Sequence, residues 1–409
     1  MIVAMPEPLP RLRMDLDFMP SPAPDRPGLL IRDPRQYSDA TLIVPPQLVE
    51  SLQFFDGQAT DLDLRAQLAR LTGSVQVGDL MEHLISTLRK AGFLQDEVYA
   101  RLRDERHRGF AEAPYRAATH AGGAYPDEPA ALSATLAAWI DEAPAAPAAD
   151  GLLGVAAPHV SPAGGRKMYG AAYRALGADL RDRVFVILGT SHYGAPDRFG
   201  LTRKPFVTPL GEARTEAGLA GWLADRAREA VEMEDYCHHT EHSIEFQVVF
   251  LQHLFGPRVS ILPILCGPYT RGLLDDGRPE DAPPVRRFLD ALAQLAATDP
   301  RLFWVLGVDM AHMGRRYGDP FPAVANAGPM ARVAERDRAR INAINGGDAD
   351  GLWALVRENQ DDLKWCGSSV FYTFLKAVPR ARGRLLGYEQ WNIDDQSVVS
   401  YGALEFAAA

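Results

Sequence analysis

Three apolar runs of strand length each end on a histidine: Gly151–His159, Val184–His192 and Leu302–His312. In an open α/β sheet, ligand-binding and catalytic groups collect beyond the carboxyl ends of the strands. One such histidine alone would read as a buried, hydrogen-bonded core residue. Three in the same kind of element, arriving at one edge, predict a metal or acid/base site.

The same runs set the fold class. From about residue 119, apolar stretches of strand length alternate with helical ones, including Ala213–Ala230, Thr240–Phe255, Met330–Asn345 and Ser368–Val378. This alternation predicts an α/β fold with a mixed, largely parallel sheet flanked by helices. The two last runs, Leu385–Ile393 and Val398–Phe406, are joined by a few residues and predict an antiparallel pair.

Ahead of this domain the pattern differs. Residues 1–28 are rich in proline and read as a flexible tail. Residues 29–95 predict a small winged-helix-like module: a hairpin across Leu29–Val44, a short helix from Pro46, a helix capped by Thr60, and a helix over Val77–Ala91 stopped by Gly92. Residues 96–118 read as a charged connector, and 119–409 as the α/β domain.

Composition narrows the function. The net charge of −10 argues against nucleic-acid and anionic-membrane binding. Residues 41–95 hold six acids and four bases, so the small module lacks the basic face a DNA-binding winged helix needs. Three widely spaced cysteines, Cys237, Cys266 and Cys366, form no disulfide framework and fit a reducing compartment. Prolines and charges interrupt the N-terminus, no apolar run reaches about 18 residues, and the expected location is the cytoplasm.

Other residues join the histidines. Cys366 stands just before a helical stretch, where the helix dipole favours thiolate. Two histidines with a thiolate or carboxylate leave positions open on a metal, which suits non-haem Fe(II) and catalytic zinc alike. Asp309 shares a strand end with His312 and is expected to orient it as an acid/base pair. His238, Glu241 and His242 match the H-x-x-E-H pattern of some zinc peptidases. Thr240 reads as a helix cap there, which puts His238 ahead of the helix and off the face of His242. His242 and Glu245, three apart on one helical face, are expected to line or support the site together with His120.

In order along the chain, Thr119-His120-Ala121-Gly122, Ala157-Pro158-His159, Leu188-Gly189-Thr190-Ser191-His192, Glu241-His242-Ser243-Ile244-Glu245, Asp309-Met310-Ala311-His312, Cys366-Gly367 and Ser397–Phe406 resemble the Memo family, also called AmmeMemoRadiSam system protein B. The resemblance implies the fold of class III extradiol ring-cleaving dioxygenases. It implies a metal site of two histidines and a cysteine at His159, His192 and Cys366, with Fe(II) favoured and zinc or copper as alternatives. It places an acid/base histidine at His312. The family name implies association with a radical-SAM partner protein. The N-terminal module, through Phe55-Asp56-Gly57-Gln58-Ala59-Thr60 and Ala91-Gly92-Phe93-Leu94, resembles PqqD-like peptide-recognition domains, which add a peptide to a sheet edge. The joint expectation is a metal-dependent redox enzyme acting on a small molecule or modified peptide. A non-catalytic metal- or ligand-binding protein is the alternative, and the zinc peptidase a second.

Overall fold

The computed structural model describes residues 8–144 and 151–409. The chain divides into two compact units, Met1–Glu112 and Ala113–Ala409.

The first unit is built on a three-stranded antiparallel sheet of Asp17–Pro20, Leu29–Arg32 and Thr41–Val44, in that order. Leu29 pairs with Val44, closing the hairpin read from the sequence. Helix Asp61–Thr72 starts in a capping box in which Thr60 and Asp63 bond each other's backbone, and stops at Gly73, whose φ of 69° suits glycine. The expectation of a flexible tail over residues 1–28 is corrected for residues 8–28; residues 1–7 lie outside the described residues. Leu9, Leu12 and Leu16 are buried in the same cluster as Ile31, Leu64, Leu68 and Phe93, and Asp17–Pro20 supplies the first strand. Proline content gave no measure of that burial, since an extended proline-rich segment packs well when its other side chains are leucines. The Arg13 guanidinium, 1% exposed, is held by Asp33 at 2.9 Å. The presumed connector is largely one helix, Glu97–Glu112.

The second unit carries a mixed sheet whose centre runs Ser397–Ala408, Leu152–Ala157, Leu302–Gly307, Val184–Thr190, Ser260–Cys266. The last four are mutually parallel. Ser397–Ala408 closes the run antiparallel to Leu152–Ala157 and to the long strand Ala381–Asp394. Helices cover both faces, so the central strands are apolar throughout instead of alternating. Val184, Val186 and Leu188 pack on the side of Phe288, Leu292 and Phe374. Phe185 and Ile187 pack on the opposite side with Tyr169, Tyr173 and Phe250. Phe250 stacks on Tyr169 and Tyr173 at 4.8 and 4.7 Å between ring centroids. Truncating an aromatic so placed costs about 3–5 kcal/mol.

Two expectations for this unit need correction. The stretch Ala213–Ala230 is not one helix: strand Gly211–Thr215 precedes helix Ala217–Ala227. The run Leu302–His312 is not one strand either. It ends at Gly307, and His312 opens a new short strand, His312–Gly314, antiparallel to Ser397–Ala408. The apolar residues Val308, Met310 and Ala311 are core residues of a buried crossing segment. Composition alone cannot separate such a segment from a strand.

Candidate metal centre

His159 and His192 follow two parallel strands of the sheet, Leu152–Ala157 and Val184–Thr190, that flank Leu302–Gly307 on either side. His242 opens helix His242–Phe255, which packs on one face of the sheet with its first turn against the carboxyl ends of these strands. The approach depends on two missing side chains. A Cβ on Gly189 would stand 2.5 Å from Ser243 Oγ, and one on Gly307 would stand 2.1 Å from the Ser243 carbonyl oxygen. The seated helix is then tied down: Ser243 Oγ donates to the Thr190 carbonyl at 2.9 Å, and Gln247 Nε2 to the Pro158 carbonyl at 2.9 Å.

The result is a triangle of imidazoles. One donor atom from each of His159, His192 and His242 lies within 4.8 Å of the other two. Ring centroids are 4.9 Å apart for His159–His192, 5.3 Å for His159–His242 and 4.9 Å for His192–His242. Cys366 meets the triangle at His159, with Sγ 3.4 Å from Nε2.

Each ring is fixed from behind. His159 Nδ1 donates to the Gly307 carbonyl at 2.9 Å, which leaves Nε2 as the lone-pair nitrogen. His192 Nδ1 lies 3.1 Å from both carboxylate oxygens of Glu241. His242 Nδ1 is 3.3 Å from Glu241 Oε1. Partners of this kind fix tautomer and ring orientation in metal-binding histidines.

Electrostatics favour a neutral imidazole at His159 and His242 and the charged form at His192. Burial pulls His159 below the usual imidazole range, opposed by Asp309 and reinforced by His192. Burial also holds His242 well below that range, against Glu241 and with the other histidines. Burial would lower His192 as well, but the Glu241 charge and hydrogen bonds outweigh it and the net shift is upward. Burial works against ionisation of Glu241 in turn, yet His192 and then His242 keep its carboxyl well below the carboxylate range.

Glu241, 1% exposed, is the residue the sequence reading underrated. Thr240 was expected to cap the helix. Glu241 is the cap, accepting the His242 and Ser243 amides at 2.9 and 3.0 Å. A carboxylate just before a helix-opening histidine was the available signal, but Thr240 is a commoner cap type and drew the assignment. The peptidase pattern is corrected by the same geometry. His238 belongs to the separate turn Cys237–Thr240, and its Nε2 donates to the Gly200 carbonyl at 3.1 Å, away from His242.

Asp309 also changes partner. Its Oδ1 accepts the His159 amide at 3.0 Å, and Oδ2 is 3.6 Å from His159 Nε2. His312 is instead oriented by carbonyls, its Nδ1 lying 3.0 Å from Met310 O and 3.1 Å from Lys364 O. The segment Asp309–His312 crosses the strand ends, so Asp309 turns toward His159 and His312 toward the 364 loop. Burial pushes His312 down to about 4, with His159 and His192 adding to the effect against Asp309. At neutral pH its Nε2 is an acceptor beside the Tyr317 ring, 5.0 Å away between centroids.

Cys366 does stand two residues ahead of helix Ser368–Ala377. Burial, then the Asp309 charge, pushes its thiol well above the ordinary range, so the dipole alone does not make a thiolate here. A coordinating cation reverses that balance, because a metal-bound thiol is deprotonated outright.

His120 and Glu245 flank the centre. His120 Nε2 donates to the Thr240 carbonyl at 2.9 Å, and its ring lies edge-on to His242 at 5.7 Å. Glu245 is fully buried against Arg116 and accepts the Thr119 and His120 amides, both at 3.1 Å. It anchors the strand-to-loop segment that carries His120. Asp337, a second residue missed in the sequence, accepts from Trp365 Nε1 at 2.7 Å, Tyr388 OH at 2.7 Å and Ser400 Oγ at 2.6 Å. Through Trp365 and Ser400 it braces both the Cys366 turn and the 309–312 segment. Its position inside helix Met330–Asn345 carries no motif.

An α/β protein with imidazoles gathered at the carboxyl ends of a parallel sheet defines, by fold and site, a class with a candidate metal centre. The chain belongs to the Memo-like protein family, which it matches over residues 116–405. It is 27% identical over 389 residues to a MEMO1 family protein of Aquifex aeolicus, covering 92% of this chain and 95% of that protein. It is 30% identical over 245 residues to a MEMO1 family protein of Thermococcus kodakarensis, covering 57% of this chain and 79% of the relative. A Pyrococcus furiosus relative of the same description is 30% identical over 224 residues, covering 53% of this chain and 72% of the relative. No helix of the described residues is long and apolar enough to cross a membrane.

Proposed function

We propose that this protein is a metal-dependent redox enzyme, with non-haem Fe(II) as its metal and a small molecule or modified peptide as its substrate. The observation that carries the reading is the convergence of His159, His192 and His242 donors within 4.8 Å, with Cys366 Sγ against His159. The residues fit a metal: the His159 lone pair is directed by a backbone bond, and His192 and His242 share a buried carboxylate behind them. His159 and His192 would hold the ion, with Cys366 as third donor and His242 beside it. Zinc or copper would suit the same imidazoles.

Bound Fe(II) supplies one-electron chemistry and open coordination positions. The chain's own residues do the rest. Asp309 fixes the His159 backbone and faces its imidazole. His312, neutral and with Nε2 free, takes a proton from a substrate hydroxyl at the centre.

The first unit would recruit a peptide or a radical-SAM partner. Its sheet order leaves Thr41–Val44 at an edge, where a peptide can add as a further strand.

The test is metal analysis of protein purified without oxygen, followed by oxygen uptake by the iron-loaded protein with candidate substrates. Stoichiometric iron and substrate-dependent uptake support the reading. Stoichiometric metal without turnover would leave a metal- or ligand-binding protein instead.

A further inference from the structure

The turn that leads into Cys366 is strained. Asn359, Gln360, Asp361 and Lys364 all have left-handed backbones, with φ of 57°, 54°, 53° and 51°. A side chain makes that conformation costly, and it persists only where the surroundings hold it in place. Asp361 has an evident reason. Its Oδ2 accepts the Trp365 amide at 2.8 Å, and its Oδ1 meets Arg340 at 3.1 Å. Lys364 needs a different one, because lysine is a poor choice where glycine or asparagine would relieve the strain.

Lys364 is joined to the strand His312–Gly314 at both ends of that strand. The Leu363 carbonyl accepts the His312 amide at 2.9 Å, and the Lys364 carbonyl lies 3.1 Å from His312 Nδ1. An extended backbone would turn two successive carbonyls to opposite sides; the left-handed turn brings both to one histidine. At the other end, Lys364 Nζ donates to Asp319 Oδ1 at 2.7 Å, and Asp319 Oδ2 accepts the Gly314 amide at 2.8 Å. Glycine or asparagine at 364 would ease the backbone but could not reach Asp319. The other acceptor of the ring, the Met310 carbonyl at 3.0 Å, is two residues from His312 and moves with it. The Lys364 carbonyl, 52 positions away, is the one that fixes the ring to the Cys366 turn.

We propose that Lys364 is a positioning residue for His312: its strained carbonyl, tethered through Asp319, holds the imidazole with Nδ1 protonated and Nε2 directed out as the acceptor. The use of that acceptor as a base rests on the redox reading above; the orientation of the ring does not. The Lys364 and Asp319 side chains are 37% and 14% exposed, so the pair adds little to global stability. Its effect falls on the ring.

The test uses full-length, metal-free protein with isotope-labelled histidine, and reads the His312 tautomer from ring-nitrogen NMR at neutral pH. The His312 signals are those missing from His312→Ala. The parent should show His312 protonated at Nδ1. Lys364→Met keeps the stem and loses the ammonium, and should lower the ratio of Nδ1–H to Nε2–H forms about 3–10-fold, the worth of one weakened hydrogen bond. Lys364→Arg should restore the parent ratio. Asp319→Asn should reproduce the Lys364→Met shift, and the double variant should add nothing further, since both changes cut one tether. Urea midpoints and metal stoichiometry after reloading should match the parent throughout. An unchanged tautomer ratio in Lys364→Met, no recovery in Lys364→Arg, or additive shifts in the double variant would overturn the proposal. So would lost stability or lost metal in Lys364→Met, which would assign the residue to the fold or to Cys366. No substrate or turnover enters these spectra, so a protein without redox activity can still pass, and an active one can still fail.

Discussion

Glu241 holds His192 at three points: its oxygens lie 3.1 Å from the ring Nδ1 and accept the His192 amide at 3.0 Å. The same carboxylate caps the helix that begins with His242. One buried side chain therefore sets the ring orientation of one histidine and the backbone position of another.

Glu241→Gln should consequently weaken metal binding about 10–100-fold, the usual loss when a histidine's outer partner is removed. The fold should lose only about 1 kcal/mol, the scale of a helix cap. Competition with a chromophoric chelator, alongside urea unfolding, separates the two effects. Unchanged affinity would remove Glu241 from the centre.

Single alanine variants assign the donors. His159→Ala and His192→Ala should each abolish stoichiometric metal while near-native circular dichroism persists. Cys366→Ala should cost at least about 10-fold in affinity, since a soft anionic donor is lost. His242→Ala should retain metal at reduced affinity. The reverse order for Cys366 and His242 would make the three imidazoles the ligand set.

His312→Ala should keep its metal and lose turnover by about 10²–10⁴-fold, the range for a removed acid/base group. Metal loss equal to that of His159→Ala would place His312 among the ligands.

Asp235 offers a pH test away from the centre. It is 4% exposed, and burial, followed by repulsion from Glu232, raises its carboxyl from 3.8 to about 6. A group whose folded value is raised contributes stability that is fully present below the unfolded value and is lost as pH rises through the folded one. Stability should therefore fall between about pH 4 and pH 6 from this residue alone, by on the order of 3 kcal/mol. Asp235→Asn keeps an acceptor for the Cys237 amide, which Oδ1 takes at 2.9 Å. It should be more stable than the parent at pH 7 and equal to it near pH 4 in urea titrations. Equal stability at both pH values would refute the assignment.

Removing residues 1–112 should leave metal stoichiometry unchanged, since every proposed donor lies in the second unit. It should abolish capture of a peptide partner by the edge strand Thr41–Val44. Loss of metal on truncation would contradict this.

The parts of the fold legible in the sequence were those with a strong local pattern. The central strands are apolar because both faces are covered, and Thr60 announces its helix through Asp63. Strand-end histidines were legible for the same reason: His159 and His192 follow uninterrupted apolar runs. What escaped depends on long-range pairing. Asp309 looked like the partner of His312 because they are three residues apart, yet the backbone turns between them and Asp309 reaches His159, 150 positions earlier. Leu9, Leu12 and Leu16 looked like tail residues until a sheet and three helices supplied something to bury them against. Glu241 and Asp337 acquire roles only from what folds around them.

Gly189 and Gly307 send no side chain into the centre, yet helix His242–Phe255 rests where their methyl groups would be. The separation of the imidazoles is thus a backbone quantity, governed by two hydrogens in place of two carbons. An alanine at either position would shift His242 and Glu241 together and relax the grip on His192 without altering a single ligand. The spacing of the three histidines can therefore be retuned through residues that carry no side chain into the site.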